Sequence, residues 1–84
     1  MEFTKHFRRM LEESSIHEEW VNRAIRTPDQ VERPGDATNH FIKQIPENEN
    51  RWLRVVVNVD AKPNRAITAF FDRGLRRAKN ENQS

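Results

Sequence analysis

Two β-branched runs joined by a short polar loop constrain this chain more than any other feature. The stretch Trp52 to Arg73, WLRVVVNVDAKPNRAITAFFDR, carries Val, Ile, Thr, Trp and Phe on both sides of Asp60-Ala61-Lys62-Pro63-Asn64. That composition suits strands, and the loop has hairpin length. Pairing Val59 with Arg65 sets Val56 opposite Thr68, Arg54 opposite Phe70 and Trp52 opposite Asp72. Strand side chains alternate between faces. One face then holds Leu53, Val55, Val57, Val59, Ile67, Ala69 and Phe71, and is expected to be core. The other holds Trp52, Arg54, Val56, Asn58, Ala66, Thr68, Phe70 and Asp72, a mixture that leaves room for function.

The 84 residues fit one domain, which spans residues 1–79, with 80–84 expected to be a disordered tail. A chain this short supports one modest core and no deep enclosed pocket. Absence of cysteine excludes disulfides and thiolate metal sites. No apolar run approaches a membrane span, and MEFTKHFRRM lacks the apolar segment of a signal peptide. A cytoplasmic location away from membranes is the default expectation. The net charge of +2 is weak evidence for an acidic partner.

Ahead of the hairpin, the apolar spacing changes to that of helices. Thr4 is placed to cap a helix from Lys5 to Glu13, with Phe7, Met10 and Leu11 on its apolar stripe. Its cations come first and its carboxylates last, against the helix dipole. Arg8–Glu12 and Arg9–Glu13 pairs would explain that order, as would an anion held at the helix start. Ser15-Ile16-His17-Glu18 has the form of a capping box and opens a second helix running to Arg26. Ile16, Trp20, Val21, Ala24 and Ile25 form its stripe, and Thr27-Pro28 ends it. A short strand is expected around Val31, then a turn at Pro34-Gly35-Asp36. A strand from His40 to Ile45 follows, with Ile45 opposite Arg51, Phe41 opposite Val55 and His40 opposite Val56. The loop at Glu47-Asn48-Glu49-Asn50 is expected to be exposed and mobile. The fold class is therefore α+β: two N-terminal helices packed on one face of a three- to four-stranded antiparallel sheet.

These pairings bring His40, Val56 and Thr68 into one row on the open face, with Arg54 one pleat away. The candidate catalytic residues are His40, Arg54 and Thr68: an imidazole moves a proton, and a guanidinium stabilises developing negative charge. Trp52, Arg54, Phe70, Arg73, Arg76, Arg77, His6 and Arg9 are the candidate nucleic-acid contacts. Rings accept bases and cations meet phosphates. In the competing structural reading, Trp52 and Phe70 pack beneath the basic tail and Arg54 pairs with Asp72. No metal-ligand spacing, phosphate-binding glycine loop or nucleophile motif is present, and no cofactor is called for.

His6-Phe7-x-Arg9-Met10, Trp20-Val21, Ala24-Ile25, Pro28, Arg51-Trp52-Leu53-Arg54-Val55-Val56 and Ile67-Thr68-Ala69-Phe70-Phe71-Asp72-Arg73 together carry a likeness. Over nearly the whole chain they resemble a family of small bacterial and cyanobacterial domains of unknown function. That family is similar to the RelE/ParE-like and BrnT-like toxins of toxin–antitoxin systems. The resemblance implies two helices on an antiparallel sheet and an open face that binds RNA, or cleaves messenger RNA on the ribosome. It also implies an antitoxin-like protein partner. The alternative is a non-catalytic interaction module on the same fold. The chain has no tyrosine, so the tyrosine that some RelE-like nucleases use is absent.

Overall fold

A computed structural model describes residues 1–74. The expectations for the basic tail, Arg76 and Arg77 included, and for residues 80–84 lie outside the described residues. The element order is α1 (Lys5–Glu13), α2 (Glu18–Arg26), β1 (Gln30–Glu32), β2 (Thr38–Ile45), a 3-10 turn (Pro46–Asn48), β3 (Arg51–Asn58) and β4 (Arg65–Phe71). The strands form one four-stranded sheet in the order β1-β2-β3-β4, with every neighbouring pair antiparallel. Both helices cover the same face, so the domain is a two-layer α+β fold.

Helix α1 starts where expected, with the Thr4 hydroxyl accepting from the Phe7 N–H at 3.1 Å. Its end differs from expectation. Ser15 takes a left-handed φ of 56°, so Ser15-Ile16-His17-Glu18 does not form a capping box. Instead the Ser15 N–H donates to Glu12 O at 3.2 Å and the Ile16 N–H to Leu11 O at 2.9 Å. This is a Schellman closure, and its usual apolar contact is supplied by buried Ile16 and Leu11. The serine thus terminates the first helix rather than opening the second, whose cap position is His17. The Arg8–Glu12 and Arg9–Glu13 pairs do not form; Arg8 reaches across to Glu18 on α2 at 3.1 Å.

The core joins Phe7 and Leu11 of α1 and Trp20, Val21 and Ala24 of α2 to Ile45, Leu53, Val55, Val57, Ala66 and Ala69 of the sheet. Small Ala66 and Ala69 give α1 close access to β4. The β2–β3 pairing is the expected one throughout, from Thr38 opposite Asn58 to Ile45 opposite Arg51. The β3–β4 pairing agrees at Val56–Thr68 and Arg54–Phe70, then shifts by one at Val56/Val57. Arg65 pairs with Asn58 rather than Val59, which makes Ile67 the extra residue of a β-bulge. Beyond a bulge the alternation inverts, so Ala66 turns into the core and Ile67 turns out, 46% exposed. Val59 packs at the core margin.

The Pro46–Asn50 loop is also more ordered than expected. Arg23 clamps Glu47 with two hydrogen bonds, at 2.9 and 2.7 Å, and Glu19 joins at 3.4 Å. Glu49 and Asn50 then take left-handed φ values of 59° and 57°, turning the chain into β3. Glu2 makes one parallel bridge to Arg65 beside β4.

Candidate functional site

The face of the sheet away from the helices carries two cross-strand rows. Gln30, Ile42, Arg54 and Phe70 form one; Glu32, His40, Val56 and Thr68 form the other. Arg54 stands on β3, yet its Nη1 donates to Glu32 Oε1 on β1 at 2.7 Å. To get there the side chain must cross β2, where Ile42 is fully buried. The long aliphatic stem of arginine suits such a crossing, since it covers apolar surface while its head keeps polar partners. The same Nη1 donates to His40 Nδ1 at 2.8 Å, and Nε donates to Asp72 Oδ2 at 2.8 Å. One guanidinium therefore ties together β1, β2, β3 and the residue after β4.

The Arg54 side chain is only 13% exposed. Its partial burial works against the charge, but the hydrogen bonds to Glu32 and Asp72 outweigh that and hold the guanidinium above its usual range. Nδ1 of His40 accepts a hydrogen bond, so the neutral ring carries its proton on Nε2. Glu32 has a second support, from Gln30 Nε2 to its Oε2 at 3.3 Å. Among the described residues no acceptor stands at Arg54 Nη2. The cluster thus contains a carboxylate, an imidazole of defined tautomer and a guanidinium, a set able to take up a proton, donate hydrogen bonds and compensate charge.

The candidates read from the sequence divide into three groups. His40, Arg54 and Thr68 do share the open face, with Arg54 bonded to His40 and Thr68 paired to Val56 beside His40. Arg54 also has the Asp72 partner of the competing structural reading. Phe70 is 44% exposed and follows Arg54 in its row, and Arg73 is exposed. Trp52 is corrected: it lies on this face but is only 6% exposed, so it offers no free ring for stacking. His6 and Arg9 are exposed on α1, in the layer behind the sheet, and do not join the cluster. Glu32 is the residue that sequence reasoning missed. A hairpin register through Pro34-Gly35-Asp36, placing Val31 opposite Phe41, would have found it opposite His40.

Among the described residues no helix is long and apolar enough to cross a membrane. No curated protein and no solved structure matches the chain. A family model described as a domain of unknown function, DUF4258, matches residues 3–71, which takes in both helices and all four strands. The chain belongs to this family.

Proposed function

We propose that the open face is an acid–base site for cleaving single-stranded RNA in a toxin-like bacterial protein, acting in the cytoplasm on free RNA or on the ribosome. The observation that carries this reading is the convergence of Glu32, His40 and Arg54 from three strands within 2.7 and 2.8 Å. Glu32 takes the proton of a ribose 2′-hydroxyl, and the 2′-oxygen attacks the adjacent phosphorus. The Nε2–H of His40 hydrogen-bonds to the departing 5′-oxygen, which takes its proton from a water molecule, and the hydroxide left behind takes the proton held on Glu32, leaving a 2′,3′-cyclic phosphate and a free 5′-hydroxyl. The Arg54 guanidinium compensates the charge that builds on the phosphoryl oxygens. Phe70 supports the reading as an exposed ring beside Arg54, and Arg73 as a cation at the end of β4. The test incubates labelled single-stranded RNA with the purified protein, with and without ribosomes, and identifies the new ends. Glu32→Gln and His40→Ala should each abolish cleavage in a protein that stays folded. Undiminished cleavage by both variants overturns the assignment.

A second reading is favoured by Ile67 and Phe70, two apolar side chains left exposed on β4. It makes the domain a non-catalytic module that holds an antitoxin-like protein. Co-expression with the product of an adjacent small gene tests it. A stable complex that Phe70→Glu dissolves, together with no cleavage under any condition, would favour this reading over the first.

A further inference from the structure

We infer that Thr68 and Phe70 of β4 form a subsite for one nucleobase, and that it takes a pyrimidine, uracil or cytosine, in preference to a purine. This rests on the RNA reading and deepens it, because the base belongs to the nucleotide whose phosphate lies over Glu32, His40 and Arg54. The first observation is a free hydroxyl. Thr68 is half-buried on the open face, and among the described residues its side chain has no hydrogen-bond partner. The acid–base step makes no use of it. A half-buried hydroxyl without a protein partner is left for water or a ligand.

The second observation is a free ring. Phe70 stands two residues after Thr68 and so shares its face. It is 44% exposed and directly opposite Arg54. Among the described residues its ring packs on no other ring. An exposed ring beside a cation is a platform for a base whose phosphate the cation meets. The third observation is the bulge. Ile67, its extra residue, turns out beside Thr68, and Val56 faces Thr68 from β3. Bulges re-aim side chains next to functional sites. Two aliphatic side chains thus neighbour the hydroxyl, and a hydrogen bond made in such surroundings counts for more than one made in water.

Spacing sets the size of the base. Arg54 reaches across β2 to His40 and Glu32, so its guanidinium lies two strands, roughly 10 Å, from Thr68. A pyrimidine nucleotide covers that distance from its phosphate to the pairing edge of its base. A purine has a second ring between sugar and pairing edge, and overshoots the hydroxyl. Uracil and cytosine each offer a donor beside an acceptor on that edge, in opposite order. The Thr68 hydroxyl both donates and accepts and turns to suit either, so it admits both pyrimidines.

Fluorescence anisotropy with labelled 2′-deoxy hexamers of uridine, cytidine and adenosine tests the subsite. These probes lack the attacking 2′-hydroxyl, so binding is read without cleavage. At low salt both pyrimidine hexamers should bind about tenfold tighter than the adenosine hexamer. Thr68→Val removes the hydroxyl and should bring the pyrimidines down to the adenosine level, while Thr68→Ser should keep the preference. Phe70→Ala should weaken all three about tenfold. Both positions lie outside the core cluster, so these variants should melt as the parent does. A parent that binds none of the three, or binds adenosine as tightly, overturns the subsite. So does a Thr68→Val protein that keeps the preference. The same hexamers with ribose separate the subsite from the cleavage reading. Pyrimidine preference in binding with no cleavage supports the subsite and sinks the acid–base step. Cleavage of adenosine as readily as of the pyrimidines sinks the subsite and leaves the acid–base step standing.

Discussion

On the helix side of the sheet, Leu53, Val55 and Val57 are fully buried beneath Phe7, Leu11, Trp20 and Val21. On the far side, between those same residues of β3, stands Arg54, held by two carboxylates and an imidazole. The first face is closed by dispersion and the hydrophobic effect, which tolerate many apolar neighbours of similar volume. The second is closed by directional bonds, which fail if one partner is lost. Arg23 offers a further contrast. It too binds two carboxylates, Glu47 and Glu19, but at the helix–loop surface, where His17 acts on Glu47 only through its charge and no imidazole is hydrogen-bonded to the guanidinium. The same pairing chemistry fastens a loop in one place and assembles an acid–base group in the other. What distinguishes Arg54 is the company of His40.

The largest expected effect breaks the covered face. Val55→Asp leaves an unpaired charge under the helices and should cost about 4 kcal/mol or more, enough to unfold a marginally stable domain; circular dichroism and denaturant titration would detect it. A folded Val55→Asp protein would mean that the faces are reversed. On the open face, Arg54→Ala should cost about 1–3 kcal/mol by orphaning Glu32 and Asp72 and uncovering Ile42. Asp72→Asn should cost less, and the double variant should fall short of the sum in a double-mutant cycle. Strict additivity would remove the Arg54–Asp72 bond from the account.

A smaller effect separates Arg23 from Arg54. The hydrogen bond from Arg23 depresses the Glu47 carboxyl from its ordinary 4.5 to about 2. A depressed carboxyl contributes stability that is complete above its unfolded value and fades as pH falls toward its folded one. The difference in melting temperature between the parent and Glu47→Gln should therefore be constant above about pH 5 and vanish on approach to pH 2. A difference that persists at pH 2 would show that the clamp is not ionic. The smallest effect on stability belongs to His40→Ala, about 0.5 kcal/mol or less, while RNA cleavage should be lost. Parallel loss of melting temperature and activity would make His40 a structural acceptor for Arg54 alone.

Much of this architecture is legible in the residues. Alternation in Trp52-Leu53-Arg54-Val55-Val56-Val57 and the loop lengths on either side were enough to place His40, Arg54 and Thr68 on one face. The bulge was hidden because Ala66 and Ile67 are both apolar, so the pattern reads equally well in either register. Ser15-Ile16-His17-Glu18 satisfied a local motif, but the Ile16 side chain gains more by closing α1 over Leu11. Trp52 looked available because Arg54 and Asp72 share its face, yet the ring is buried. Glu32 escaped notice for a related reason. A strand of three residues carries almost no periodicity, and its place beside His40 is fixed only by pairing with β2.

The bridge from Glu2 to β4 bears on how the chain assembles. Every strand pairs with its sequence neighbour, so the sheet can zip up through short loops at modest entropic cost. The Glu2–Arg65 contact closes a separation of 63 residues and brings the first residues beside the last strand. Such a contact forms late, after the meander and helices are in place. Substitution at Glu2 should therefore accelerate unfolding while leaving the folding rate nearly unchanged, a signature readable from the two arms of a chevron plot.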